Sequence, residues 1–239
     1  MKSILITGAT SGIGKALATH AANQGYRVIA CGRNEETLNE LSRYSNIEAC
    51  QFDVTDLEDA RRALATVKFD IAVLNAGTCE YVDIDSFEPD MFRRVFEPNF
   101  FGVVHCVDAL LPQFKKGDKL VIVDSMARLL PFTKTQAYGS SKAALHYFTK
   151  SLEVDLHEKG VKVQAVSPGF VETPLTDKND FEMPMKISAE EAAEAMLKGI
   201  ESNKQSVFFP RAFGFILRLM HVLPTPLQKR LSLAMREKQ

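Results

Sequence analysis

Three things are scarce in this chain of 239 residues. Cysteine occurs four times, at Cys31, Cys50, Cys79 and Cys106, with no CxxC pair and no Cys/His cluster at zinc spacing. That excludes a disulfide scaffold and a structural zinc site, and leaves the thiols as buried and reduced, as in an intracellular protein. Net charge is scarce as well. The 29 basic and 30 acidic residues sum to −1, which argues against a nucleic-acid partner. Long apolar runs are missing. The longest, Ala212–Leu223, is interrupted by Arg218 and His221, and a bilayer span needs about 20 apolar residues.

Other absences narrow the reading further. The chain starts Met1-Lys2 and enters an apolar run at once, so no signal peptide is expected and the expected location is cytoplasmic. No repeat period and no Gly/Ser linker divides the sequence, which predicts one domain. A composition 46% apolar and 25% charged excludes disorder. The five histidines (20, 105, 146, 157 and 221) show no metal-ligand spacing, so no metal is expected and all five read as structural or surface residues.

What is present is an alternation. Short apolar runs at Ser3–Thr7, Arg27–Cys31, Glu48–Phe52, Asp70–Asn75, Lys119–Asp124, Lys162–Val166 and Ser206–Phe209 read as strands buried on both faces. Helical patterns fill the gaps: Gly12–Gln24, Glu35–Tyr44 after Asn34, Leu57–Val67 after Asp56, the long Pro89–Phe114 and Gln136–Lys159, and one opened by the capping box Ser188-Ala-Glu-Glu191. This rhythm predicts an α/β fold, a doubly wound parallel sheet flanked by helices. Residues 1–210 read as its body and 211–239 as a basic, amphipathic C-terminal helical extension of the same domain.

The first strand runs into Thr7-Gly8-Ala9-Thr10-Ser11-Gly12-Ile13-Gly14 and then a helix. Gly8 lets the chain turn sharply, Gly12 lets backbone approach a pyrophosphate, and Gly14 lets the helix lie close to the sheet. The helix N-terminus offers N–H groups and a positive dipole end to phosphates. A tight turn without a ligand would use the same glycines, but their place between a first strand and a helix favours a nucleotide site. The end of the second strand selects the nucleotide. An NAD site usually carries an acid there, about 20 residues after the glycines. Here the strand ends Ala30-Cys31-Gly32-Arg33. Arg33 suits a two-pronged, charge-assisted bond to a 2′-phosphate, worth roughly 1.5–3 kcal/mol, so NADP(H) is favoured over NAD(H).

Tyr138 and Lys142 are four apart on a predicted helix and share a face. A neighbouring ammonium would lower the phenol pKa from its usual value of about 10, equipping Tyr138 to give a proton to a carbonyl oxygen. Ser125 ends the fifth strand, at the edge where doubly wound sheets bind ligands.

These motifs stand in one order: the glycine turn, Asp53-Val54, Asn75-Ala76-Gly77, Asn99, Ser125, Tyr138 with Lys142, and Pro168-Gly169 with Thr173. Over Lys2–Thr173 the chain resembles the single-domain, NADP(H)-preferring short-chain dehydrogenases/reductases. The resemblance implies a Rossmann-type fold and a role for each residue. Tyr138 would be the general acid/base. Lys142 would hold the nicotinamide ribose and depress the tyrosine pKa, Ser125 would bond the substrate oxygen, and Asn99 would hold a relay water. Gly8, Thr10, Ser11, Gly12, Ile13 and Gly14 would cradle the phosphates, with Arg33 on the 2′-phosphate. Asp53 and Val54 would flank the adenine, and Asn75, Ala76 and Gly77 would line the floor. Pro168, Gly169, Val171 and Thr173 would hold the nicotinamide. The chain departs from the family at Asp124, where Ser is usual, and at Pro98, inside a helix beside Asn99.

Around this site Met126–Phe132 and the later Phe170, Leu175, Phe181, Met183 and Met185 predict an apolar pocket. The expected activity is NADPH-dependent reduction of a hydrophobic ketone or aldehyde, a small-molecule carbonyl/alcohol pair. The rivals are a non-catalytic NADP(H) sensor and a lyase or epimerase on the same fold. From Lys198 onward eight basic residues face two acidic ones. That tail suits an anionic membrane surface, a cover for a lipophilic pocket, or docking on the body or a partner subunit. The resemblance also implies a homodimer or homotetramer through the Pro89 and Gln136 helices.

Overall fold

In the computed structural model, residues 1–177, 182–202 and 204–236 are described. Seven parallel strands form one sheet: β1 Ser3–Thr7, β2 Arg27–Gly32, β3 Ile47–Gln51, β4 Ile71–Leu74, β5 Lys119–Val123, β6 Lys162–Pro168 and β7 Ser206–Phe209. Their order is β3-β2-β1-β4-β5-β6-β7. The five inner strands are apolar because helices cover both faces, whereas β3, expected to be buried on both faces, is an edge strand with Glu48, Ala49 and Gln51 exposed.

Helices α1 Gly12–Asn23, α2 Glu35–Leu41 and α7 Ala189–Glu201 cover one face of the sheet. Leu17, Ala18 and Ala21 of α1 meet Ala192, Ala193 and Met196 of α7 over Ile4, Ile6 and Val28. Small residues at the contact let the two helices approach closely. Helices α3 Leu57–Leu64, α4 Pro89–Phe96, α5 Gly102–Leu110 and α6 Gln136–Asp155 belong to the other side, with Leu64, Val107 and Leu145 over Leu5, Leu74 and Ile122. The expected caps are in place. Asn34 Oδ1 accepts from the Thr37 N–H, Asp56 Oδ1 accepts from the Asp59 N–H, and Ser188 with Glu191 forms a capping box.

The Pro89–Phe114 segment differs from its expected single helix. It breaks into α4, a π-helical turn Glu97–Phe101, α5 and a short 3-10 turn Leu111–Gln113. Pro98 and Pro112 lie in the two irregular turns, where proline removes an N–H from the helical ladder. The tail folds as α8 Arg211–His221 and α9 Thr225–Arg236. No described helix is long and apolar enough to cross a membrane.

The strand order reverses between β1 and β4. Ligands bind such sheets in the crevice beyond the carboxyl ends at this switch point. The glycine turn, Asn75–Gly77 and Ser125 all leave strands there.

Candidate active site

The crevice starts at the turn between β1 and α1. Gly8 and Gly12 have φ of 68° and 49°, the left-handed region that a side chain disfavours. Gly14 is required by packing: a Cβ there would lie 2.1 Å from the Gly8 carbonyl oxygen. Ser11 precedes α1 in extended geometry and makes no side-chain cap bond. The first-turn N–H groups therefore have no side-chain cap, as an anion site at a helix start needs.

Two adjoining cavities follow the crevice and share Gly8, Ser11, Ala76, Gly77 and Thr78. The first, of about 500 Å³, is lined by Thr10, Arg33, Asp53 and Val54. The second, of about 330 Å³, is lined by Gly12, Ile13, Asn75, Ser125, Tyr138, Lys142, Pro168, Gly169, Val171 and Thr173. Every residue expected to hold a dinucleotide thus lies on this groove except Gly14, which sits beneath the turn. Their chemistry fits one. Backbone donors stand at the centre, and at the rim Arg33 is a cation whose side chain is 74% exposed, paired with Asp53 at 3.2 Å. Partial burial pushes the Asp53 carboxyl up, but hydrogen bonds from Thr55 and Arg33 outweigh it and hold the group below the usual carboxylate range.

At the other end of the groove stand the expected catalytic four. Tyr138 and Lys142 lie one turn apart on α6, with the Lys142 Nζ 5.9 Å from the Tyr138 ring centre. Lys142 is buried, and its Nζ donates to the Val123 carbonyl at 3.0 Å. Burial brings its pKa down to about 8, against the opposing pull of Asp124 and Cys79. The expectation that Lys142 would depress the Tyr138 pKa is not met. Burial raises the phenol well above its ordinary value, Cys79 adds to this, and the Ser125 side chain only partly opposes it. Ser125 Oγ accepts from the Ala127 N–H at 3.1 Å, which leaves its own proton to donate elsewhere.

Asn99 is fully buried in the π-helical turn. Its Oδ1 accepts from the Thr78 N–H at 2.7 Å, and its Nδ2 donates to the Thr78 carbonyl at 2.9 Å and to Ser141 Oγ at 3.0 Å. The amide is a clamp between the β4 loop and α6, with both N–H donors used and one lone pair of Oδ1 left over. Gly77 passes beside it, where a Cβ would meet Asn99 Oδ1 at 2.8 Å and Lys142 Nζ at 3.4 Å.

Ser125 and Tyr138 also line a third cavity of about 290 Å³. Its walls are largely apolar: Met126, Phe132, Phe170 and Leu175 as expected, joined by Phe213 and Leu217 of α8 and by Cys79 and Tyr81 of the β4 loop. Two expectations change and a third lies beyond test. Leu129 and Leu130 are buried in a cluster under α8 instead of lining the cavity. Met185 is 49% exposed and, like Met183, is absent from the cavity wall. Phe181 lies outside the described residues. The contribution of α8 had a signal, the i,i+4 pair Phe213 and Leu217 on one helix face. The loop residues Cys79 and Tyr81 had none, because their neighbours are distant in sequence. Burial pushes the Cys79 thiol up to about 11, which keeps it protonated and weakly nucleophilic.

Beneath the site is a network that the sequence reading missed. Asp124 is buried, and its carboxylate accepts from Arg128 Nε at 2.9 Å, from the Ser167 hydroxyl, and from His146 Nδ1 at 2.6 Å. His146 is thus a structural residue of the site floor. The i,i+4 spacing of Asp124 and Arg128 was the available signal. No group of three or more metal-ligating side chains occurs among the described residues.

Residues 2–183 match the family model for short chain dehydrogenases. An uncharacterized oxidoreductase of Myxococcus xanthus is 34% identical over 238 residues, covering 95% of this chain and 94% of its own. One from Staphylococcus epidermidis is 36% identical over 206 residues, 82% of this chain and 89% of its own. Among solved structures, a short chain dehydrogenase of Burkholderia cenocepacia in complex with NADP aligns with TM-score 0.87 at 24% identity, covering 97% of this chain and 99% of that one, a likeness of fold. ElxO with NADP bound aligns with TM-score 0.77 at 26% identity, covering 87% and 97%. With the motifs in register along one crevice and the family model matching most of its length, the chain belongs to the short-chain dehydrogenase family of oxidoreductases.

Proposed function

We propose that the protein is an NADPH-dependent reductase of apolar ketones or aldehydes. One observation carries the reading: Ser125 and Tyr138 stand on the wall shared by the dinucleotide groove and the apolar cavity. A carbonyl in that cavity would meet both hydroxyls at its oxygen while its carbon faces the groove. NADPH supplies a hydride. The chain supplies the rest: Ser125 donates a hydrogen bond to the oxygen, and Tyr138 gives it the proton. Burial keeps Tyr138 protonated at neutral pH, the form that gives a proton, while making the phenol a weaker acid than a free one. Lys142 and the Val123 carbonyl hold the floor beside Tyr138, and Asn99 fixes the loop that positions Gly77.

Arg33 with no acid at the end of β2 supports NADPH over NADH; among the solved neighbours several hold NADP or NADPH and one holds NAD. We read 1–210 as the catalytic body, 211–239 as an extension of the same domain, and the cytoplasm as its place of action. Exposed Phe101, Tyr147 and Val154, near or on α6, support assembly as a homodimer or homotetramer through that side. The test is absorbance-followed oxidation of NADPH, beside NADH, over a panel of carbonyls graded in polarity. The reading expects turnover of the apolar members with NADPH. Turnover of small polar carbonyls alone, or none at all, overturns it.

A further inference from the structure

Helix α8 has two apolar faces, and only one is used. Phe213 and Leu217 point inward, line the substrate cavity, and join Met126, Leu129 and Leu130 in one cluster. The close approach is built in: a Cβ on Gly214 would meet Phe208 at 2.7 Å, and the His221 ring bonds the Leu129 carbonyl at 2.7 Å. The outer face carries Phe215, Leu219 and Val222 at i, i+4 and i+7, exposed by 68%, 58% and 74%. Leu227 on α9 adds a further exposed apolar group.

Charge identifies what this face fits. Between Glu201 and Glu237 the sequence has no acidic residue at all. Arg211 and Arg218 flank the Phe215 face on α8, and Lys229 and Arg230 follow on α9, all four exposed. A face for a second copy of this chain would meet the same cations and repel it. An anionic bilayer surface satisfies both features at once, taking the aromatic and aliphatic side chains into its headgroup region and attracting the arginines and lysines.

We propose that the outer face of α8, with the start of α9, seats the protein on an anionic lipid surface, so that the helix walling the apolar cavity is the one that rests on the bilayer. The same helix then does both jobs, its inner residues touching substrate and its outer ones touching lipid. The docking rests on the reductase reading only for what the cavity receives, namely carbonyl compounds that partition into lipid.

The test is co-sedimentation of the full chain with vesicles of phosphatidylcholine mixed with phosphatidylglycerol, beside pure phosphatidylcholine, at low and high salt. The expected result is binding to the anionic vesicles alone, weakened by salt. Phe215→Glu with Leu219→Glu should abolish it, and Lys229→Gln with Arg230→Gln should weaken it on the order of twentyfold, about fivefold per cation. Both double variants leave the cavity wall intact, so their oxidation of NADPH with a water-soluble carbonyl should match the parent. That assay without vesicles reports on the reductase reading by itself. No binding by the parent, or binding unchanged by the glutamates, overturns the proposal. So does a parent dimer that the glutamates split in the absence of lipid, which would make the face a protein interface.

Discussion

The carboxylate of Asp124, the residue immediately before Ser125, lies 2.6 Å from Nδ1 of His146, which stands two helical turns along α6 from Tyr138. A carboxylate only accepts, so Nδ1 carries the proton in this bond. Asp124 takes Arg128 and Ser167 on its remaining lone pairs, so one buried anion joins β5, α6 and β6 directly under the reacting groups.

Removing that anion should cost stability first. Arg128 is only 9% exposed, and Asp124→Ala leaves its guanidinium buried without a counter-charge. Breaking one side of a buried pair costs about 3–5 kcal/mol. Urea unfolding of Asp124→Ala should show a loss of this size, whereas Asp124→Ser with Arg128→Met, which removes both charges, should recover most of it. Equal stability of parent and Asp124→Ala would show that the network contributes nothing.

The pH dependence follows from two buried groups moved in opposite directions. The Tyr138 phenol is raised, so it stays protonated, the form a reduction needs, across neutral and mildly alkaline pH. Lys142 is lowered to about 8, so its ammonium is present below that value and lost above it. Carbonyl reduction should therefore hold level below about pH 8 and fall above it. Alcohol oxidation, which needs the phenolate, should rise with alkalinity. A reduction rate that climbs through pH 8–10 would contradict this assignment.

Arg33 sets the predicted cofactor choice. Its bond to Asp53 is exposed and worth at most about 1 kcal/mol, so a phosphate can compete for it. Arg33→Ala should raise the KM for NADPH by roughly ten- to a hundredfold and leave that for NADH nearly unchanged. Titration of both nucleotides against the variant checks it.

The architecture was legible because the inner parallel strands must be apolar along their length, and the half-exposed edge strand β3 still keeps its alternation with helices. All seven runs fall on strands within one or two residues. The groove was legible because glycines at positive φ and a Tyr/Lys pair carry their geometry in their spacing. What could not be read is what depends on side chains meeting across the fold. Pro98 marked a distortion, but the clamp from Asn99 to Thr78 and Ser141 needs three separate elements in contact. Lys142 near Tyr138 suggested a lowered phenol pKa, because burial, the larger effect here, has no sequence signature. Cys79 and Tyr81 reach the cavity through a loop whose path only the tertiary structure fixes.

The central claim is that one phenol delivers a proton to a carbonyl oxygen beside the nucleotide groove. NADPH oxidation by the parent and by Tyr138→Phe, on the same apolar ketone, tests it most directly. Loss of the general acid should lower turnover about 10²–10⁴-fold while NADPH still binds. A variant that turns over at the parent's rate would contradict the account.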